Sequence, residues 1–211
     1  CGVCLCTVLQ GNVDHGIYQR SALPDALRAQ GKTLMCCATP LSDLSIEVEL
    51  AGTTPSHKQY RSRVERIERL APEMIRLTLS LPGGERIAFA GGQYINIVLD
   101  DGQRRAFSFA NPPHDNGHVE LHVRRIPGGR FTTHVFTQMK VGDTLNFEGP
   151  LGDFTLRDSE MPILFVAGAT GFAPVKSILE DAFHRAVRRP MWLYWGVRHR
   201  PDLYLLELAE R

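Results

Sequence analysis

Five cysteines stand in two clusters: Cys1, Cys4 and Cys6 in CGVCLC, and the adjacent Cys36 and Cys37 in LMCCATP. Cys1 and Cys4 form a CxxC pair, with which two thiolates on one tight loop can share a metal centre. An odd number of cysteines in two clusters differs from an evenly spread disulfide framework, and metal ligation in a reducing cytoplasm accounts for it better than secretion. Zinc held by Cys1, Cys4, Cys36 and Cys37 is chemically open, although adjacent cysteines chelate one ion awkwardly. The eight histidines show no HxxxH or similar spacing and read as surface or core residues.

A second group of residues carries no thiol. In RRAFSFA, Arg105 and Phe107 fall on one face of a strand with Ser108 beside them, so a cation, a flat ring and a hydroxyl lie close together. Such a set suits a flavin nucleotide, with the ring for stacking, the cation for phosphate and the hydroxyl for a polar ring edge; an ordinary exposed strand face has the same pattern. LHVRR sets Arg124 on another strand, and PGGRFTTHVF follows it. There the glycines permit close backbone approach, and Thr132 is expected to begin a helix whose free N–H groups face an anion. A hairpin turn explains PGG equally well. In VAGATGFAP, Gly168, Thr170, Gly171, Ala173 and Pro174 lie between an apolar run and a helix, where small residues let a dinucleotide pyrophosphate reach the backbone. The stretch is not GxGxxG, and a tight strand-to-helix turn is the alternative.

Three textures position these groups. Residues 1–50 carry the cysteines and end in SDLSIEVEL, whose period of two predicts a half-buried strand through Leu44, Ile46, Val48 and Leu50. Residues 51–58 are polar, hold Gly and Pro, and read as a linker. Residues 59–158 alternate short strand-like runs with turn clusters such as LPGGE, DDGQ and NPPHDNG, the pattern of an antiparallel barrel or sandwich. From 159 to 211 the texture becomes βαβ. ILFVAGA reads as a strand buried on both faces, Val175, Ile178, Leu179, Ala182, Phe183 and Ala186 recur at helical spacing, MWLYWGV is a second buried strand, and PDLYLLELAER opens a further helix. Two parallel strands cannot cover both faces of their sheet, so this last unit is expected to be partial.

The 211 residues carry 43% hydrophobic residues and a formal net charge of +1, which describes a globular chain without the basic excess that nucleic-acid binding uses. No run of roughly 18 apolar residues is present to span a membrane.

RAFS, HVRR with GGRFT, and GATGFAP, in that order and at these separations, resemble the flavin and pyridine-nucleotide modules of the ferredoxin-NADP reductase superfamily. CGVC followed by LMCCATPLSDL resembles the end of a plant-type [2Fe-2S] ferredoxin domain. Together they resemble the iron-sulfur flavoprotein reductases of ring-hydroxylating oxygenases, and DHG, CCATPLSDL and YWGVRHRPDLY are most similar to the CDP-6-deoxy-glucoseen reductase branch. The resemblance implies an α+β multidomain chain: a partial β-grasp ferredoxin domain, an antiparallel Greek-key β-barrel FAD domain and a partial α/β nucleotide-binding domain.

It further implies Ser108 as the catalytic residue at the flavin N5 and O4 edge, with Phe107 along the ring. Arg105, Val123, Arg124, Gly129, Arg130 and Thr132 would hold FAD, with the pyrophosphate on the cations and the glycine turn. Gly168, Thr170, Gly171 and Arg198 would face NAD(P)H. The basic run Arg198, His199 and Arg200 suits a 2′-phosphate or a solvated loop. Cys1, Cys4 and Cys36 would be cluster ligands two, three and four, with Cys37 a neighbour and Cys6 packing. The family's first ligand lies before Cys1, and its CGxP motif lies after Arg211. The chain is therefore expected to be cut at both ends and to hold a cluster poorly alone. Phe107 replaces the tyrosine of many relatives and loses a phenol hydrogen bond.

The implied function is electron transfer from NAD(P)H through FAD to [2Fe-2S] and on to an acceptor protein, an oxygenase or deoxysugar dehydratase component. Flavin is the converter between two-electron and one-electron chemistry. Reduction of free flavin or small acceptors is a rival reading, and a non-catalytic metal-binding scaffold another.

Overall fold

The computed structural model describes residues 4–48 and 58–210. Cys1, Glu49, Leu50 and residues 51–57 of the expected linker lie outside them. Two compact units divide the chain, Cys1–Pro55 and Ser56–Arg211. Among the described residues no helix is long and apolar enough to cross a membrane.

The first unit contains β1 (Leu5–Gln10), β2 (Val13–Asp14), α1 (Asp25–Ala29), β3 (Lys32–Leu34), β4 (Thr39–Pro40) and β5 (Ser45–Glu47). β1 is central, antiparallel to β3 and to β5. Cys6, Leu23, Thr33 and Leu34 form its buried centre, which places Cys6 in packing. Among the described residues, the strand expected through Leu44–Leu50 comprises the three residues of β5, all exposed, because β5 is the sheet edge and no described layer covers it.

The second unit begins with β6 (Lys58–Ala71), β7 (Met74–Ser80), β8 (Tyr94–Val98), β9 (Arg104–Ser108), β10 (Val119–Arg124), α2 (Arg130–Thr137) and β11 (Thr144–Leu151). Its six strands run in the order β10-β7-β6-β11-β8-β9, all neighbours antiparallel. β11 lies between the β6–β7 and β8–β9 hairpins, which is a Greek-key arrangement. The outer strands approach each other where Ala110 N–H donates to the Glu120 carbonyl at 2.8 Å. Leu77, Leu79, Ile95, Ile97, Leu121 and Phe147 fill the interior. The two-residue period does the sorting: on β10, Val119, Leu121 and Val123 face inward, which leaves Glu120, His122 and Arg124 on the outer face.

β12 (Ile163–Gly168), α3 (Phe172–His184), β13 (Met191–Gly196) and the short α4 (Leu206–Ala209) complete the unit. β12 and β13 pair in parallel. They are not buried on both faces: Phe165 and Ala167 are covered, whereas Leu164, Val166, Trp192 and Tyr194 are exposed, because α3 packs on one side only. α3 stops at His184, with Ala186 in the left-handed region at φ 54°, and Phe183 points outward.

Candidate functional site

The outer end of the barrel and the start of α3 enclose a cleft of about 380 Å³. Arg105, Phe107 and Ser108 from β9, Arg124 from β10, Gly129, Arg130 and Thr132 at the start of α2, and Thr170 and Gly171 before α3 all line it. Three groups distant in sequence thus converge on one concavity. Gly168 and Arg198 line the adjoining cleft of about 320 Å³ with Asp202, and Arg124 borders both. Val123 is separate: its side chain is fully buried in the barrel interior.

Local structure aims each group. Phe107 packs its ring 5.3 Å from that of Phe131, tilted by 54°. The β8–β9 turn holds two of the cations. Arg105 donates to the Gln103 side-chain oxygen at 2.6 Å, and Arg130 pairs with Asp101. The Gln103 backbone N–H and then Arg130 hold the Asp101 carboxyl below its ordinary range. α2 begins at Arg130, with Gly129 as its first flanking residue, so Thr132 lies within the first turn rather than at its start. No side chain caps this helix, which leaves first-turn N–H groups for an anion or water. A flat ring, three arginines and an open helix start fit the ring and pyrophosphate of a flavin dinucleotide.

Behind the cleft lies a polar network that sequence reading missed. His122 Nδ1 is 3.0 Å from the Tyr204 hydroxyl and Nε2 is 3.1 Å from Glu120. Burial pulls His122 below its ordinary value, so the ring is neutral. A carboxylate only accepts, which assigns the proton to Nε2 and makes Tyr204 the donor to Nδ1. Lys176 from α3 is 3.3 Å from Glu120 and 3.0 Å from Glu180, and Arg76 is 3.6 Å from Glu120. Burial raises the Glu120 carboxyl, but the His122 hydrogen bond and the charges of Lys176 and Arg76 outweigh it and hold it at about 2. The legible signals were the alternation in VELHVR and a lysine on the otherwise apolar side of α3.

In the first unit Cys4 Sγ lies 2.9 Å from Cys36 Sγ, which in turn is 3.6 Å from Cys37 Sγ. Gly16 makes room for that loop: at φ 62°, a Cβ there would meet the Cys37 carbonyl at 2.3 Å. Hydrogen bonding between the thiols lowers the Cys4 pKa and raises that of Cys36 to about 11. The paired thiols suit thiolate ligation, but a [2Fe-2S] centre takes four ligands and Cys1 lies outside the described residues. Among the described residues no three His, Cys, Asp or Glu side chains are grouped to hold a metal ion.

A barrel cleft lined by an aromatic ring and three arginines, adjoining a strand-turn-helix lined by small residues, is the arrangement expected of a flavoprotein oxidoreductase core. Residues 61–156 match the oxidoreductase FAD-binding domain and residues 165–211 the oxidoreductase NAD-binding domain. The chain thus carries FAD-binding and NAD-binding oxidoreductase domains of the ferredoxin-NADP reductase family.

It is 42% identical over 208 residues to reductase component 2 of terephthalate 1,2-dioxygenase from Comamonas, covering 97% of this chain and 61% of that protein. It is 37% identical over 207 residues to the Yersinia pestis CDP-6-deoxy-L-threo-D-glycero-4-hexulose-3-dehydrase reductase, covering 97% and 62%. The crystal structure of a cytochrome P450 reductase from Amycolatopsis is similar with a TM-score of 0.71 at 37% identity, covering all of this chain and 65% of that one. The chain therefore spans about three fifths of the length of the curated relatives it matches.

Proposed function

We propose that this chain is the electron-entry part of a cytoplasmic NAD(P)H-dependent reductase, which feeds a [2Fe-2S] centre and, through it, an acceptor protein of the oxygenase or dehydratase type. The convergence of Arg105, Phe107 and Ser108, of Arg124 with the Gly129–Thr132 turn, and of Thr170 and Gly171 on one cleft carries this reading. Bound there, FAD supplies the exchange between two-electron and one-electron transfer. The chain's own residues bind and orient. Arg105, Arg124, Arg130 and the α2 N-terminus neutralise phosphate, Phe107 packs along the ring, and Ser108 presents a hydroxyl to the polar ring edge. Gly168 and Arg198 extend the nucleotide path in the adjoining cleft. Cys4 and Cys36, with Cys1, would ligate the cluster.

Anaerobic addition of NADH and then NADPH to the purified, reconstituted full-length protein is expected to bleach a flavin absorption band, and the faster donor identifies the preferred nucleotide. No bleaching with either donor overturns the reading and leaves a metal-binding scaffold. Arg198→Ala is expected to raise KM for NADPH about tenfold and leave KM for NADH unchanged, the loss of roughly one charge-assisted contact. An unchanged KM with both donors would instead make Arg198 part of a solvated loop. In the full-length protein, Cys4→Ser with Cys36→Ser is expected to abolish reduction of a one-electron protein acceptor while flavin bleaching by NAD(P)H persists. Undiminished acceptor reduction would favour a reductase of free flavin or small acceptors.

A further inference from the structure

α3 follows the Gly168–Gly171 turn directly and carries Lys176 one turn in. The surrounding helix face is apolar, with Val175 and Ile178 buried, and Lys176 is itself only 8% exposed. A buried ammonium loses its hydration and is costly in such a place unless it is paired. Its acceptors include the Ala110 carbonyl at 2.9 Å and Glu180 at 3.0 Å, with Glu120 at 3.3 Å. The next residue, Ser177, donates its hydroxyl to the Asn111 carbonyl at 2.8 Å. Ala110 and Asn111 lie two and three residues beyond Ser108.

Other contacts close the grip. Phe109 is fully buried and its N–H donates to the Gln93 carbonyl at 3.0 Å, while the Ala110 N–H is bonded to β10. The helix backbone also approaches Gly91 so closely that a Cβ there would lie 3.1 Å from the Ile178 Cα. One rigid helix thus carries the dinucleotide turn at its start and holds the segment leaving Ser108 one turn later.

We infer that Lys176 and Ser177 are positioning residues for hydride transfer, setting the separation between Ser108 on the barrel and the Gly168–Gly171 turn on the nucleotide lobe. The inference rests on the reading proposed above. In that reading a hydride, one proton with two electrons, leaves the reduced nicotinamide, which is oxidised, and is taken up with its electron pair by the flavin, which is reduced. Such transfer depends steeply on geometry: a misplacement of about 1 Å can cost on the order of a hundredfold in rate.

The test compares Lys176→Met, Lys176→Arg and Ser177→Ala in the full FAD-loaded chain by anaerobic stopped-flow, with amide hydrogen exchange measured on each cofactor-free chain. At saturating nucleotide, flavin reduction is expected to slow roughly 10- to 100-fold in Lys176→Met and about fivefold in Ser177→Ala, with partial recovery in Lys176→Arg. Dissociation constants for FAD and for a non-reducing nucleotide analogue are expected to stay within about threefold of wild type. Exchange at the Phe109 and Ala110 amides is expected to quicken. Should Lys176→Met fail to fold, Ser177→Ala carries the test, because it leaves every ion pair in place. Wild-type reduction rates in the folded variants, or unchanged exchange, overturn the inference. A wild-type chain that takes up no FAD overturns the underlying reading as well, which separates the two failures.

Discussion

Replacing Glu120 with alanine is expected to destabilise the second unit by about 3 kcal/mol, measured as a lower urea midpoint at pH 7. The carboxylate is the shared partner of His122, Lys176 and Arg76, and its side chain is 13% exposed. Removing it leaves a buried ammonium and a buried ring N–H short of an acceptor. The value falls at the low end for a broken buried pair because Glu180 remains 3.0 Å from Lys176. An unchanged midpoint would show that water compensates all three groups.

The same network makes wild-type stability fall in acid in two stages. Burial keeps His122 neutral in the fold, below its ordinary 6.5, so the unfolded chain takes up that proton first and stability drops as the pH passes below 6.5. Glu120 is held at about 2 against an ordinary 4.5; its contribution is complete above 4.5 and lost as the pH falls toward 2. His122→Gln should remove the first stage and Glu120→Ala the second. Burial raises the Tyr204 hydroxyl above its ordinary 10, so stability is also expected to decline once the unfolded tyrosine ionises in strong alkali.

Gly129→Val is expected to weaken FAD binding on the order of a hundredfold while thermal unfolding changes little, since this corresponds to roughly 3 kcal/mol of lost phosphate contacts. Its φ of −71° suits any residue, so the effect is one of space rather than strain. A Cβ there would meet Thr132 Oγ1 at 2.6 Å and the Ile126 carbonyl at 3.0 Å. The start of α2 must shift, and with it the N–H groups and Arg130 at the cleft edge. Tight FAD binding by the folded variant would mean that the arginines hold the pyrophosphate without the helix N-terminus.

Periodicity in the sequence indicated the barrel strands because each short run has one buried and one open face, and that alternation is written locally. It misjudged β12 and β13. A continuous apolar run predicts two buried faces, but burial depends on what packs against the strand, and α3 covers only one side. The helix expected to begin at Thr132 begins two residues earlier, at Arg130.

The motif groups RAFS, HVRR with GGRFT, and GATGFAP were legible because each is a short run of neighbours whose residue types are read locally. That they share one cleft, that Gly168 and Arg198 face its neighbour, and that Val123 lies inside the barrel are decisions of the tertiary fold. So is the pairing of Glu120 and His122 with Lys176 and Tyr204, residues up to 84 positions apart that no local pattern connects. Residue chemistry and local period are properties of neighbours along the chain, and the sequence determined those by itself. Which charges meet in a buried, low-dielectric space depends on long-range packing, and only the tertiary structure decided that.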